Sequence, residues 1–161
     1  MDAAADDLQA LPAGREAWQQ ALRQLLADPG AACCLYSADY ADWPLQEAAV
    51  VDALDAWALT RRQPCLRMLA RRYDGLTRAA PRFVDWRARF AHLIECRELP
   101  DGVDEPAEGM LLADHGMIAK AVEHGRAGVH CRGAAWLGAM QRWEAAWARA
   151  HPAFAAYTLG L

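Results

Sequence analysis

The stretch VEHGRAGVHCRG, residues 122–133, combines two histidines, one cysteine and two arginines within one polar segment. A metal ion could take His124, His130 and Cys131 as ligands, since imidazole nitrogen and thiolate sulfur both bind zinc. Adjacent residues of an extended segment point to opposite sides, so His130 and Cys131 are poorly arranged to bind one ion. The sequence also lacks a CxxC pair, and no metal or other cofactor is predicted.

The same stretch could instead supply a nucleophile or an anion-binding loop. Cys131 would act as a nucleophile only if His124 or a nearby arginine stabilised its thiolate. Arg126 and Arg132 suit a phosphate better, because the neighbouring glycines let backbone N–H groups approach an anion and the stretch leads into a helix start. Anion binding is the leading functional interpretation. The simplest alternative is a glycine-rich loop with a structural role.

Two further polar groups follow predicted strands. The first follows AACCLYS and contains Ser37, Asp39 and Asp42, and the second follows PCLRMLA and contains Arg71, Arg72 and Tyr73. Ligands bind beyond the carboxyl ends of strands in a parallel sheet, and an arginine fork suits phosphate or carboxylate. Both groups, together with Arg132, are therefore expected at one ligand-binding edge. The alternatives are that the aspartates cap turns and that the arginines neutralise them in a structural network.

Aromatic residues at helical spacing predict core faces rather than a nucleic-acid interface. In residues 81–90 the aromatic side chains recur at spacings of three and four and share one face, while the arginines fall on the solvent-exposed remainder. The last predicted helix carries a similar stripe of Trp136, Trp143 and Trp147. Most of that stripe is expected in the core, and part of it could serve a dimer interface.

The rest of the sequence alternates between helical and strand patterns. Helices are predicted over 14–30, 45–63, 81–93 and 134–152, strands over 31–37, 64–70 and 93–99, and a hairpin over 110–123. This order predicts an α/β fold with a mixed, mainly parallel sheet, a late antiparallel hairpin and helices on both faces. Residues 1–13 are expected to form a flexible N-terminal arm, and residues 14–161 a single α/β domain.

The composition fits a cytoplasmic globular protein. The chain has 161 residues, of which 55% are hydrophobic and 24% charged, and its net charge of −4 argues against general nucleic-acid binding. The sequence has no apolar run long enough to cross a membrane, and its acidic start lacks the features of a signal peptide. An odd number of cysteines, five, in largely apolar stretches indicates free, buried thiols.

The order of elements resembles one half of a phospholipase D-like domain. The resemblance is carried by CCLYSADY, CLRMLA, IECRE, the hairpin MLLADHGMIAK and the tryptophan-rich last helix, over about residues 30–150. Active halves carry His-x-Lys, four further residues and then Asp, and the histidine is the nucleophile that takes up the phosphoryl group. With Asp114 as that aspartate, Ala107 stands at the histidine position and Gly109 at the lysine position. The resemblance therefore implies the fold without the phosphodiesterase chemistry.

The chain is also similar to a family of proteobacterial proteins of unknown activity, through DYADWPL, ARRYD, RFVDWR, IECR, CRG and TLGL. Together the two resemblances imply a bacterial, non-catalytic binding or interaction module. Active phospholipase D-like halves pair about a twofold axis, so a homodimer is implied.

The ligand implied by this interpretation is a phosphate-bearing small molecule, a nucleotide or the acidic tail of a partner. The residues expected to bind it are Asp39, Arg71, Arg72, Arg126, His130 and Arg132. No catalytic residue is predicted for such a module. The alternative is a small hydrolase or transferase that uses Cys131, or His130 oriented by an aspartate of SADYAD.

Overall fold

A computed structural model describes residues 8–120 and 127–156. The helices are α1 (Arg15–Ala27), α2 (Ala48–Ala58), α3 (Asp74–Ala79), α4 (Pro81–Arg89) and α5 (Ala134–Ala148), with a 3-10 turn at Ala91–Leu93. The strands are β1 (Leu8–Ala10), β2 (Cys33–Ser37), β3 (Leu66–Ala70), β4 (Ile94–Glu98), β5 (Gly109–Ala113), β6 (Gly116–Lys120), β7 (Ala127–Cys131) and β8 (His151–Pro152). They form one eight-stranded sheet in the order β1-β7-β6-β5-β2-β3-β4-β8.

The sheet is mixed, and its parallel part is the central β2-β3-β4 unit. The other neighbours pair antiparallel. The predicted α/β class, mixed sheet and late hairpin are confirmed, although antiparallel contacts outnumber parallel ones. Parallel neighbours need a helical crossover, and β2, β3 and β4 are connected in this way. The additional antiparallel pairs involve β1, β7 and β8, which come from stretches in which the sequence predicts no strand.

Part of the stretch that is interpreted from the sequence as a glycine-rich loop forms strand β7. Residues 127–131 pair with β6 on one side and with β1 on the other. Glycine and histidine in this segment hide the apolar–polar alternation that normally reveals a strand. The sequence predicts a flexible arm over residues 1–13, but residues 8–10 form the edge strand β1. Residues 1–7 lie outside the described part of the chain.

Helices cover both faces of the sheet. On one face α1, α2 and α4 pack against the sheet through a cluster that includes Leu22, Leu54 and Phe83. On the other face α5 packs through its tryptophans, and the indole N–H of Trp143 donates to the backbone oxygen of Leu35 at 3.1 Å. The tryptophan stripe and the aromatic stripe of α4 therefore lie in the core, as their helical spacing predicts.

The sequence predicts that Arg87 lies on the solvent-exposed face of α4, but the structure buries it. Only 6% of the residue is exposed. Its Nη2 donates to the backbone oxygen of Phe154 at 3.3 Å, and its guanidinium carbon lies 5.8 Å from the centre of the Phe154 ring. Nε and Nη1 have no hydrogen-bond partner among the described residues. The prediction was wrong because the chain that follows α5 returns across this side of α4.

Burial governs the chemistry of the cysteines. Cys33, Cys34, Cys65 and Cys96 are buried free thiols, as predicted. Burial raises the pKa of Cys34 and of Cys96 to about 11, so neither is a thiolate at neutral pH. The side chain of Cys131 is outside the described part of the chain.

Within residues 8–120 and 127–156, no helix combines the length and the apolar character needed to cross a bilayer.

Candidate functional site

The carboxyl end of β2 defines one edge of the sheet, which we call the carboxyl edge. Across it Ser37 pairs with Gly109, Gly109 pairs with Lys120, and Lys120 pairs with Ala127. β3 and β4 run parallel to β2, so the segments that follow them reach the same edge. Ligands of α/β sheets bind at edges of this kind.

Arg132 lies at the opposite edge. β7 ends level with the start of β2, because Cys131 pairs with Gly116, Gly116 with Ala113 and Ala113 with Cys33. The length of a five-residue strand, roughly 13 Å, separates the two edges. The expectation that Arg132 shares an edge with the other predicted residues is therefore wrong, because β7 points the other way.

The contacts of Arg132 are local. Its backbone N–H donates to His115 O at 3.2 Å, and Nη1 donates to Asp114 O at 3.4 Å. Its guanidinium carbon lies 4.6 Å from the centre of the Trp136 ring. Arg132 thus links the β5–β6 turn to the first turn of α5.

The predicted residues that do lie at the carboxyl edge have mostly structural partners. Asp39 Oδ1 accepts the N–H of Ala41 at 3.0 Å and closes a turn. Arg71 Nη1 and Nη2 donate to the backbone oxygens of Pro100 and Val103 at 2.8 and 2.7 Å, which fastens the loop between β4 and β5. The side chain of Arg72 is exposed. Asp39 and Arg71 therefore follow the structural alternatives more closely than the ligand-binding one.

Other predicted residues lie partly or wholly outside the described chain. His124 and Arg126 fall outside it, and for His130 and Cys131 the backbone in β7 is described but not the side chains. Among the described residues, no group of three His, Cys, Asp or Glu side chains is arranged to hold a metal ion. An enzyme using Cys131 or His130 stays a prediction.

A cleft of about 420 Å³ opens at the carboxyl edge beside α1. It is lined by the strand ends Ala10, Lys120 and Ala127, by the connector 11–14, and by Arg15, Trp18 and Asp42. We call it the α1 cleft. The connector is held against the sheet, since the N–H of Leu11 donates to Ala127 O at 3.0 Å.

Two cation–carboxylate pairs border the α1 cleft. Lys120 Nζ lies 3.5 Å from Glu108 Oε1, and Arg15 Nε lies 3.7 Å from Asp42 Oδ1. The exposed fraction of these side chains runs from 30% for Lys120 to 65% for Arg15. Exposed pairs at such separations contribute little to stability. Arg15 Nη2 also donates to Ala41 O at 3.2 Å, and the remaining N–H groups of Arg15 and the ammonium group of Lys120 are available to a competing anion.

Gly109 lies beside Trp18 at the same edge. A Cβ built on Gly109 would stand 3.1 Å from Trp18 Cζ2, closer than ordinary van der Waals contact. Trp18 is only 6% exposed and packs edge-to-face on Trp43, with ring centres 6.1 Å apart. Ala107, two residues before Gly109, is also buried. The space next to Gly109 is therefore filled by a fixed indole.

Sequence reasoning missed Arg15, Trp18 and Lys120 as residues of a site. The position of Lys120 could have been predicted from the sequence. A tight turn at Asp114–His115 fixes the register of the hairpin and thereby pairs position 120 with position 109. The positions of Arg15 and Trp18 could not, since the docking of α1 on the sheet is a long-range contact.

A family model described as a domain of unknown function (DUF7931) matches residues 14–156. No curated protein sequence matches the chain.

Two solved structures are similar in fold. TrmBL2, an archaeal chromatin protein described as showing a novel mode of DNA binding, has a TM-score of 0.64 at 14% identity, over 91% of this chain and 53% of TrmBL2. The chain thus spans about half the length of that protein. Nuc, a phospholipase D family member from Salmonella typhimurium, has a TM-score of 0.60 at 8% identity, over 91% of this chain and 97% of Nuc. These similarities show a phospholipase D-like α/β fold and nothing about activity.

Proposed function

This chain belongs to the DUF7931 family, and we propose that it is a non-catalytic phospholipase D-like module that binds a phosphate-bearing ligand in the α1 cleft. The proposal has two parts, the loss of phosphodiesterase chemistry and the retention of an anion site. Each part rests on residues at the carboxyl edge.

The first part rests on positions 107 and 109. Ala107 has no atom that can attack phosphorus, and Gly109 has none that can neutralise a phosphate oxygen. Trp18 also fills the space that a side chain at position 109 would need. Chemistry of the phospholipase D type would therefore require new residues and a displaced indole.

The second part rests on Lys120, the only lysine of the chain. Lys120 is the direct cross-strand partner of Gly109. Directly opposed residues of an antiparallel pair project from the same face, so the ammonium group emerges beside the position that the resemblance assigns to a lysine. This juxtaposition, at a cleft that Arg15 also lines, is the observation that carries the proposal.

The start of α1 adds to the anion site. Its N-cap residue is Gly14, which has no side chain to accept a hydrogen bond from the free N–H groups of the first turn. Gly14 lines the α1 cleft beside Arg15. An uncapped helix start carries partial positive charge, which supports the two cations.

The proposal extends to a homodimer of a cytoplasmic, bacterial protein. The support is the pairing of active phospholipase D-like halves about a twofold axis, which the resemblance implies for this chain. Light scattering should give the mass of two chains. A monomer at high protein concentration would contradict the dimer and would leave the proposal of an anion site unaffected.

Ligand binding is tested by thermal melting with inorganic phosphate, AMP and a short single-stranded oligonucleotide. The oligonucleotide is included because TrmBL2 is described as a DNA-binding protein. A ligand that binds only the native state raises the melting temperature in proportion to the logarithm of its concentration. Wild-type protein should show this rise with at least one of the three.

Two variants locate the site. Lys120→Met should abolish the rise, whereas Arg72→Met should keep it, because Arg72 is an exposed cation at the same edge but does not line the α1 cleft. The absence of any rise in wild-type protein at millimolar concentration of all three ligands contradicts phosphate binding. Loss of the rise in Arg72→Met alone would move the site to the residues predicted from the sequence.

A further inference from the structure

The α1 cleft is larger than a phosphate group requires. Its volume of about 420 Å³ lies in the range of sites for small organic ligands. Leu11, Pro12 and Ala13 supply an apolar side to the cleft. A ligand that fills it therefore carries an organic part as well as an anion.

The charges of the cleft are balanced rather than simply positive. Lys120 is paired with Glu108 and Arg15 with Asp42, both loosely. An anion that binds the cations leaves carboxylates without partners. Of the two carboxylates, that of Asp42 lines the cleft itself. A ligand with its own cationic group would give Asp42 a replacement partner.

The two cations also select the type of phosphate. A phosphate monoester carries close to two negative charges at neutral pH, whereas a diester carries one. Lys120 and Arg15 together match the monoester.

We propose, on the basis of the phosphate-binding function above, that the α1 cleft binds a small zwitterionic phosphate monoester, an aminoalkyl phosphate in chemical class. The phosphate contacts Lys120 and Arg15, and the ammonium group contacts Asp42. The apolar connector 11–14 packs against the carbon chain that joins them.

The test compares two ligands that differ only in the ammonium group. O-phosphoethanolamine and ethyl phosphate are titrated into the full chain by isothermal calorimetry, with inorganic phosphate as a third probe. O-phosphoethanolamine should bind about threefold to fivefold more tightly than ethyl phosphate, the size expected for one partly exposed ion pair. Asp42→Asn should remove this difference.

Asp39→Asn is the matched control, since Asp39 is an exposed carboxylate on the same loop that does not line the cleft. It should leave the preference intact. Circular dichroism verifies that both variants fold, which is expected because both carboxylates are exposed.

The possible results separate the two proposals. Equal affinity for O-phosphoethanolamine and ethyl phosphate, with inorganic phosphate also bound, overturns the zwitterion and leaves phosphate binding in place. A preference that survives Asp42→Asn overturns the role of Asp42. No binding of any of the three probes overturns the zwitterion, and the proposed function falls with it only if AMP and the oligonucleotide also leave the melting temperature unchanged.

Discussion

The indole of Trp18 lies against Gly109 so closely that a Cβ at this glycine would stand 3.1 Å from Trp18 Cζ2. The ring cannot easily give way, because it is buried and packs on Trp43. In a phospholipase D-like half, the resemblance assigns a lysine to this position. Here the buried indole occupies the space that such a side chain would need, and Lys120 is the cross-strand neighbour of this glycine.

Gly109→Ala should therefore destabilise the protein. The added methyl group must displace a buried indole, and overpacking of this kind costs about 1–3 kcal/mol. Gly75→Ala is the control, because a Cβ at Gly75 meets no atom within 4 Å and the residue is in a helix. That change should leave stability unchanged or raise it by about 0.5–1 kcal/mol. Urea unfolding measures both, and equal effects would show that Trp18 does not fill this position.

Asp114 should be structural despite its place in the resemblance. Its Oδ2 accepts the N–H of Ala31, and its own N–H donates to Pro29 O at 3.4 Å, which ties the hairpin to the turn before β2. Asp114→Ala should lower the free energy of unfolding by about 1–3 kcal/mol. Asp39→Ala, which removes an exposed turn acceptor, should cost less than about 1 kcal/mol. A milder effect at Asp114 than at Asp39 would contradict this assignment.

Arg87 should contribute little to stability, although it is buried. Its Nε and Nη1 lack partners in the described chain, and a buried charge without a counter-charge is costly. Arg87→Met should leave the free energy of unfolding unchanged or raise it by up to about 3 kcal/mol.

Arg67→Met provides the comparison for Arg87. Arg67 pairs with Glu144 at 2.6 Å and stacks on Trp143 at 4.6 Å, so its loss should cost about 1–2 kcal/mol. Thermal or chemical unfolding measures both variants. If Arg87→Met is the more damaging of the two, then Arg87 has an anionic partner in the folded protein.

Stability should fall at alkaline pH because of the buried thiols. Burial raises the pKa of Cys34 and Cys96 from 9.0 to about 11, so the folded state holds these protons more tightly than the unfolded state. Their contribution is complete below pH 9 and is lost as the pH rises through 11. Each thiol should account for about 2 kcal/mol by pH 11.

The alkaline loss is measured by urea unfolding between pH 8 and pH 11. Cys34→Ala should reduce the loss of stability between pH 9 and pH 11 by about 2 kcal/mol, and the rest of the loss should remain, because burial also raises the pKa of Cys33, Cys65 and Cys96. A pH profile identical to that of wild-type protein would contradict a raised pKa for Cys34.

Local patterns were sufficient to predict the central elements. The apolar stripe of α1, the proline at the start of α4 and the tight turn at Asp114–His115 each act over a few residues, and the corresponding elements formed. β1 and β7 could not be predicted in this way. Each is short, and each is held by a neighbouring strand: β7 pairs along its whole length with β6, and β1 pairs with β7, which lies far from it in the sequence.

The site was harder to predict than the fold for a related reason. The edge to which a strand end belongs depends on the direction of the strand, and β7 had not been recognised as a strand. Arg132 was therefore assigned to the wrong edge. Arg71 was placed at the correct edge, but its role depends on the backbone oxygens of Pro100 and Val103, whose arrangement no sequence pattern indicates.

Phosphate binding without phosphodiester cleavage is tested most directly by phosphorus NMR on one sample. The sample holds the protein, inorganic phosphate and the dinucleotide thymidylyl-thymidine. The phosphate resonance should broaden with wild-type protein and stay sharp with Lys120→Met, while the diester resonance keeps its intensity with both. Growth of a monoester resonance at the expense of the diester, or a phosphate resonance that is the same for both proteins, would contradict the account.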